Sequence, residues 1–201
     1  MAYIDTGVHM PGMAGLMFYK GPTGKAIFNM ANTLLNGPSG LTSGEREMIA
    51  AHVSKLNECG YCYNIHAAVA DEHLSDNGHT MSCVIENLDD APISEKMKAL
   101  LRIAGKVQKG GQYVTEQDVL KAKTAGATDE DVHDSVLVAS FFCMANRYVD
   151  GLGTRIADQE EKKESVQMIL RIGYRYPPLF LRKLVVRMIN RKAAKQNKPT
   201  C

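Results

Sequence analysis

Apolar residues along this chain recur mostly three and four positions apart, and the runs they form are bounded by recognisable helix stops and caps. From Lys25 to Leu35 the residues Ile27, Phe28, Met30, Ala31, Leu34 and Leu35 keep a helical period, and Gly37-Pro38 ends the run. Thr42 or Ser43 caps a second helix, with Glu45 placed for a capping box and Met48, Ile49, His52, Val53 and Leu56 along one face. A break at residues 57–60 precedes a third helix reaching about Leu74, with Cys62 in its first turn, followed by a turn at residues 75–78 and a candidate short helix at 79–87. After a connector containing Pro92, Ser94 caps a helix with a stripe of Met97, Leu100, Leu101, Ala104 and Val107, closed by Gly110-Gly111. Thr115 with Asp118, and Thr128 with Asp131, cap two more helices that close at Gly126 and Gly151. No stretch alternates with the period of a strand, so the expected class is all-α, a helical bundle. Residues 42–57 and 128–143 faintly echo one another as capped, acid-started helices, a weak sign of two related halves.

The two ends depart from this pattern. Residues 1–24 hold Gly7, Pro11, Gly12, Gly15, Gly21, Pro22 and Gly24, which predicts a loop with at most short helical turns, strapped across the core. After Gly153 the chain is first acidic, with Asp158, Glu160, Glu161 and Glu164, and from Arg171 onward basic without an acid, ending in Lys195 and Lys198. Past Pro177-Pro178, Leu181, Leu184, Val185, Met188 and Ile189 share one face of a basic helix. The expected organisation is therefore a helical domain over residues 1–155 and a basic amphipathic extension over residues 156–201. Its apolar face suits a neighbouring subunit, with an anionic membrane surface as the disfavoured alternative.

Composition narrows the classes. A chain of 201 residues with 45% hydrophobic content can bury a full core, and a net charge of +2 is too small to imply nucleic-acid binding. Five cysteines do not make a disulfide scaffold at this length, and one C-x-x-C among scattered thiols fits a reducing, cytoplasmic setting. The first residues lack a basic start followed by an apolar run, and no window reaches membrane-spanning length. The 11 methionines read as adaptable filling for core and interfaces.

Candidate chemistry gathers in residues 47–66. Cys59 and Cys62 form the C-x-x-C pair at a helix start, where the positive end of the helix favours thiolate. His66 lies one turn beyond Cys62, a base beside a thiol, and Glu47 is a carboxylate able to orient or recharge that base. Glu58, directly before Cys59, would raise that thiol's pKa, so Cys62 is the expected nucleophile. Two other readings stand beside redox catalysis. One is a structural zinc site on the two cysteines and a histidine, the other an oligomeric binding protein with the dithiol as a redox sensor. His52 reads as structural, Cys143 as a core thiol, and Asn146-Arg147 as a subunit or capping contact, while Cys83 and Cys201 have no partner that spacing reveals.

The spacing Glu47-x11-Cys59-x2-Cys62-x3-His66, flanked by capped helices, resembles the AhpD-like alkyl hydroperoxidases of the carboxymuconolactone decarboxylase superfamily. HMPGMAGLM, LLNGPSGLTSGERE, ISEKMKALLRIAGKV and ATDEDVHDSVLVASFFCMANRYVDGLG look like its peroxidase-related branch, so that the resemblance covers roughly residues 9–153. It implies an all-α bundle assembling into trimers or hexamers, and an antioxidant dithiol that reduces peroxides without a cofactor or metal. It further implies that Cys62 attacks, Cys59 resolves, and Glu47 and His66 relay protons. The implied partners are a peroxide, a lipoyl or thioredoxin-like dithiol reductant, and further copies of the chain. AhpD itself carries a histidine between the cysteines, where this chain has Tyr61. The superfamily's decarboxylases lack the cysteine pair, which disfavours lactone decarboxylation.

Overall fold

The structure, a computed structural model, describes residues 2–75 and 78–196. Lys198, Cys201 and the centre of the turn expected at 75–78 lie outside the described residues. Among those residues all regular structure is helical: α1 (Gly12–Tyr19), α2 (Gly21–Asn36), α3 (Ser43–Leu56), α4 (Gly60–Leu74), α5 (His79–Glu86), α6 (Glu95–Lys109), α7 (Glu116–Thr124), α8 (Asp129–Gly151), α9 (Gln159–Ile172) and α10 (Arg182–Gln196). None of these helices is long and apolar enough to cross a membrane.

Helices α3 and α4 fold back on each other at the centre, and α6 and α8 pack against α3 from outside. The core between them is built of Met48, Ile49, Val53, Leu100, Leu101, Ile103, Val138 and Phe142, all buried. The caps read from the chain are present, with both halves of the capping box formed at Thr42–Glu45, Thr115–Asp118 and Thr128–Asp131. A fourth box, Asp158–Glu161, starts α9.

The opening residues differ from the expected loop. Helix α1 forms across Gly12 and Gly15 because Leu16, Met17 and Phe18 all bury, and tertiary burial outweighs the low helix propensity of glycine. Helix α2 starts at Gly21, four residues earlier than the apolar period suggested, with Pro22 in its first turn where a missing N–H costs nothing. Residues before α1 do run as a strap. Tyr3 N–H donates to Leu152 O at 2.8 Å, and Asn190 of α10 donates to Gly7 O at 2.8 Å and accepts from His9 N–H at 3.0 Å.

At the other end of the chain α9 packs on α4 and buries Val166. It stops at Gly173, whose φ of 68° is open to glycine and strained for other residues. The next residue, Tyr174, turns inward and is 8% exposed. Helix α10 lies outside, tied by Lys192 to Glu164 at 2.5 Å and by Arg182 to the carbonyls of Phe18 and Tyr19 at the end of α1.

Candidate active site

Glu47 stands one turn into α3 and is 1% exposed, an unusual place for a carboxylate. Both of its oxygens are satisfied. His66 Nδ1 lies 2.7 Å from Oε2, and the Tyr174 hydroxyl donates to Oε1 at 2.7 Å. A carboxylate only accepts, so Nδ1 of His66 is the protonated nitrogen and Nε2 is left as the acceptor. The imidazole is held on two more sides, edge-on to Phe142 with centroids 4.5 Å apart and stacked on Tyr174 at 5.9 Å.

The thiols lie where α3 gives way to α4. Glu58 takes up a left-handed φ of 58°, which turns the chain sharply enough for Cys59 to become the N-cap of α4. Cys59 N–H donates to Ser54 O at 3.0 Å, so the turn is fixed from both helices. Both sulfurs are buried, Cys59 at 0% and Cys62 at 2% exposure, and each is a free thiol. They share a hydrogen bond. Accepting it from Cys62 pulls the Cys59 thiol below its ordinary range, against the opposing pull of burial. Donating it to Cys59, together with burial, pushes the Cys62 thiol far up.

In the resting pair, then, Cys62 holds the proton and Cys59, at the helix start, is the more acidic thiol, whereas the sequence reading puts the lower pKa on Cys62. Asp150, near the end of α8, is the carboxylate that acts on both thiols: it accepts a hydrogen bond from Cys59 and raises both. Asn146, one turn earlier on α8, opposes this with a hydrogen bond to Cys62. It is fully buried, donating to Ser54 Oγ at 3.1 Å and accepting from Asn57 Nδ2 at 2.8 Å.

Cys62 and His66, one turn apart on α4, line the same cavity of about 110 Å³. Its other walls are mostly apolar, including Met13, Met17, Ile65 and Phe142, with Met168 and Tyr174 closing it from the C-terminal side. Tyr61 also lines it, with a hydroxyl pushed up by burial, so it remains a neutral group at the position between the two cysteines. Its ring is covered by Gly12, where an added Cβ would come within 2.2 Å of it.

The remaining candidates lie apart from this network. His52 is buried and its imidazole is pushed down to about 4 by burial, which keeps it neutral. Cys143 is half-buried and accepts from Asn57 Nδ2 at 3.8 Å, and Cys83 is half-buried elsewhere. Among the described residues no three His, Cys, Asp or Glu side chains converge as ligands, the arrangement a zinc site would require.

The comparisons with known proteins agree with this architecture. The sequence profile of the carboxymuconolactone decarboxylase family matches residues 22–74, the stretch from α2 through α4 that carries Glu47, Cys59, Cys62 and His66. Among solved structures, an uncharacterised peroxidase-related protein from Ralstonia eutropha JMP134, described as an alkylhydroperoxidase AhpD core, superposes with a TM-score of 0.68 at 30% identity, covering 83% of both chains. An uncharacterised peroxidase-related protein from Silicibacter sp. TM1040 superposes with a TM-score of 0.69 at 28% identity, covering 76% of this chain and 78% of its own. A search of curated proteins found no match. The chain belongs to the AhpD-like carboxymuconolactone decarboxylase superfamily.

Sequence reasoning left three residues that touch the site outside it, Asn146 having been read as a subunit or capping contact. Asn146 and Asp150 stand one helical turn apart on α8, and that i, i+4 spacing of polar groups below an apolar run was a readable signal. Tyr174 left none, since it meets Glu47 across a separation of 127 residues.

Proposed function

We propose that this protein is a thiol-dependent hydroperoxide reductase in which Cys59 and Cys62 cycle between dithiol and disulfide. One observation carries the reading. Cys62 lines an apolar cavity together with a histidine whose Nδ1 is engaged by a buried carboxylate. Because Cys62 is held protonated, the reaction needs a base at the moment of attack, and His66 Nε2, backed by Glu47, is that base.

The Cys62 sulfur attacks the outer oxygen of the hydroperoxide as its proton passes to His66. The O–O bond breaks, Cys62 becomes a sulfenic acid, and the departing alkoxide takes the proton from His66 to leave as the alcohol. Cys59, whose thiol the hydrogen bonds from Cys62 draw below its ordinary range, then attacks the sulfenic sulfur and water leaves, closing the Cys59–Cys62 disulfide. A dithiol of the lipoyl or thioredoxin-like class returns both cysteines to thiols by exchange and is itself oxidised to its disulfide. An apolar cavity of about 150 Å³ accepts benzene, so the smaller volume here suits a short alkyl hydroperoxide better than an aryl or long-chain one.

The test is stopped-flow oxidation of the reduced protein by hydrogen, tert-butyl, cumene and lipid hydroperoxides, followed by turnover with a dithiol. Cys62→Ser should abolish peroxide reduction, whereas Cys59→Ser should react once and stall as sulfenic acid or mixed disulfide. Glu47→Gln and His66→Asn should each slow the reaction by about ten- to a thousand-fold while remaining folded. Turnover that survives Cys62→Ser would refute the proposal. The burial of both sulfurs favours one other reading, a sensor that oxidises once and signals through its disulfide. Oxidation by peroxide without multiple turnover in the presence of any dithiol would select it.

A further inference from the structure

We infer that Tyr174 is the third member of the Glu47–His66 relay, a positioning residue that holds carboxylate and imidazole in register for proton transfer at Cys62. The inference rests on the reductase reading for the reaction it serves, but its structural content is independent of that reading.

The hydroxyl sits between the two groups. It donates to Glu47 Oε1 at 2.7 Å, and its oxygen lies 3.3 Å from His66 Nδ1, within reach as a second, weaker acceptor for the same N–H that Glu47 Oε2 receives. The three groups thus close a ring of contacts in which each proton has one place. Tyr174 can hold this role because burial, and then the Glu47 charge, push its hydroxyl well above the ordinary phenol range, so it stays a donor. Its ring also stacks on the imidazole with an interplanar angle of 22°, opposite in kind to the edge-on contact from Phe142.

Delivery of this tyrosine is built into the backbone. Gly173 ends α9 at φ 68°, and a Cβ there would come within 2.6 Å of Asn32 Oδ1. That same Asn32 oxygen accepts from the Tyr174 N–H at 3.1 Å, so α2 clamps the residue at the point where the chain turns inward. Removing the hydroxyl would leave Glu47 Oε1 without its donor in a buried site and would remove one of the two bonds that fix the carboxylate, loosening its hold on His66 Nδ1. The titratable and charged groups around His66 are Glu47 from α3, Cys62 and Tyr61 from its own helix, and Tyr174 itself, with Arg175 on the cavity wall and the uncharged Phe142 from α8.

The experiment compares full-length wild type with Tyr174→Phe, which keeps the ring and loses the hydroxyl. Nitrogen-15 NMR of histidine-labelled protein reads the His66 tautomer, the signal being identified among six histidines by its loss in His66→Asn. Stopped-flow oxidation by tert-butyl hydroperoxide reads the rate, and thermal denaturation establishes that the variant is folded. Wild type should hold the Nδ1–H tautomer, while Tyr174→Phe should mix the two tautomers. The maximal oxidation rate should fall about tenfold, with the half-saturating peroxide concentration unchanged. A folded Tyr174→Phe with the wild-type tautomer and rate would overturn the inference. If wild type fails to reduce peroxides, the reductase reading falls, and the tautomer comparison alone still decides whether Tyr174 positions His66.

Discussion

Glu58 and the two thiols after it illustrate how much of the chemistry is set by single side chains. A residue with a Cβ held at φ 58° carries roughly 1–2 kcal/mol of local strain, and here that strain sits directly before Cys59, where it turns α3 into α4. Glycine would relieve the strain but widen the unfolded ensemble, so Glu58→Gly should change stability by between about zero and 1 kcal/mol in the favourable direction. Urea denaturation measures this, and a destabilisation above about 1 kcal/mol would mean that the Glu58 side chain, rather than the turn, supports the loop. At the sulfurs the decisive interaction is mutual. The bond from Cys62 to Cys59 divides one proton unequally, and burial of Cys62 magnifies the division. Helix position alone would have favoured the thiolate on whichever thiol lies at the helix start, and that thiol is Cys59, the N-cap.

At the scale of elements the capping boxes do most of the local specification. Each places a Thr or Asp oxygen on the third N–H of its helix and an acidic side chain on the cap N–H, satisfying two donors that would otherwise be lost. Asp118 has a second task, receiving Lys106 of α6 at 2.7 and 2.6 Å, which joins α7 to its neighbour. The hydrogen bond from Lys106, with those from Thr115, draws its carboxyl from 3.8 down to about 2. The linkage has a definite sign. The folded form binds this proton less readily than the unfolded one, so the stabilisation is complete above about pH 3.8 and is lost as pH falls through about 2. Asp118→Asn should therefore remove part of the acid sensitivity between those values, seen as a smaller difference between urea midpoints measured at neutral pH and at about pH 2.5. An unchanged difference would show that the α6–α7 ion pair carries no stability.

For the whole molecule the salient feature is apolar surface without a covering element. Met168, Leu170 and Ile172 on α9, Leu179, Phe180 and Leu181 before α10, and Leu184 and Met188 on α10 are exposed, Phe180 at 83%. Exposed apolar side chains concentrated in one stretch of a chain suit an interaction site, and we propose that further copies of the protein cover them. The protein should therefore scatter light as a homo-oligomer at micromolar concentration, a trimer or hexamer by resemblance to the family. A monodisperse monomer would overturn this. Substitution of Phe180, Leu184 and Met188 by polar residues should then shift the assembly toward smaller species, whereas an unchanged mass would place the contact elsewhere.

By itself the sequence determined the helical class, most helix boundaries from α3 to α8 and the placing of Cys59, Cys62 and His66 at one helix start, because each depends on short-range spacing that helix geometry converts directly into shared faces and caps. Glu47 joined that group only through the resemblance, since its contact with His66 crosses 19 residues and two helices. Asp158–Glu161 obeys the same local rule and was as readable. The glycine-rich α1 was not, since its formation depends on burying Leu16, Met17 and Phe18 against distant helices rather than on its own propensity. Only the tertiary structure decided which thiol keeps the proton, through a sulfur contact, Asp150 and burial. It also decided that Tyr174 completes the buried carboxylate's hydrogen bonds. A residue 127 positions from its partner reaches it through a glycine turn and an asparagine clamp, and neither leaves a periodic trace along the chain.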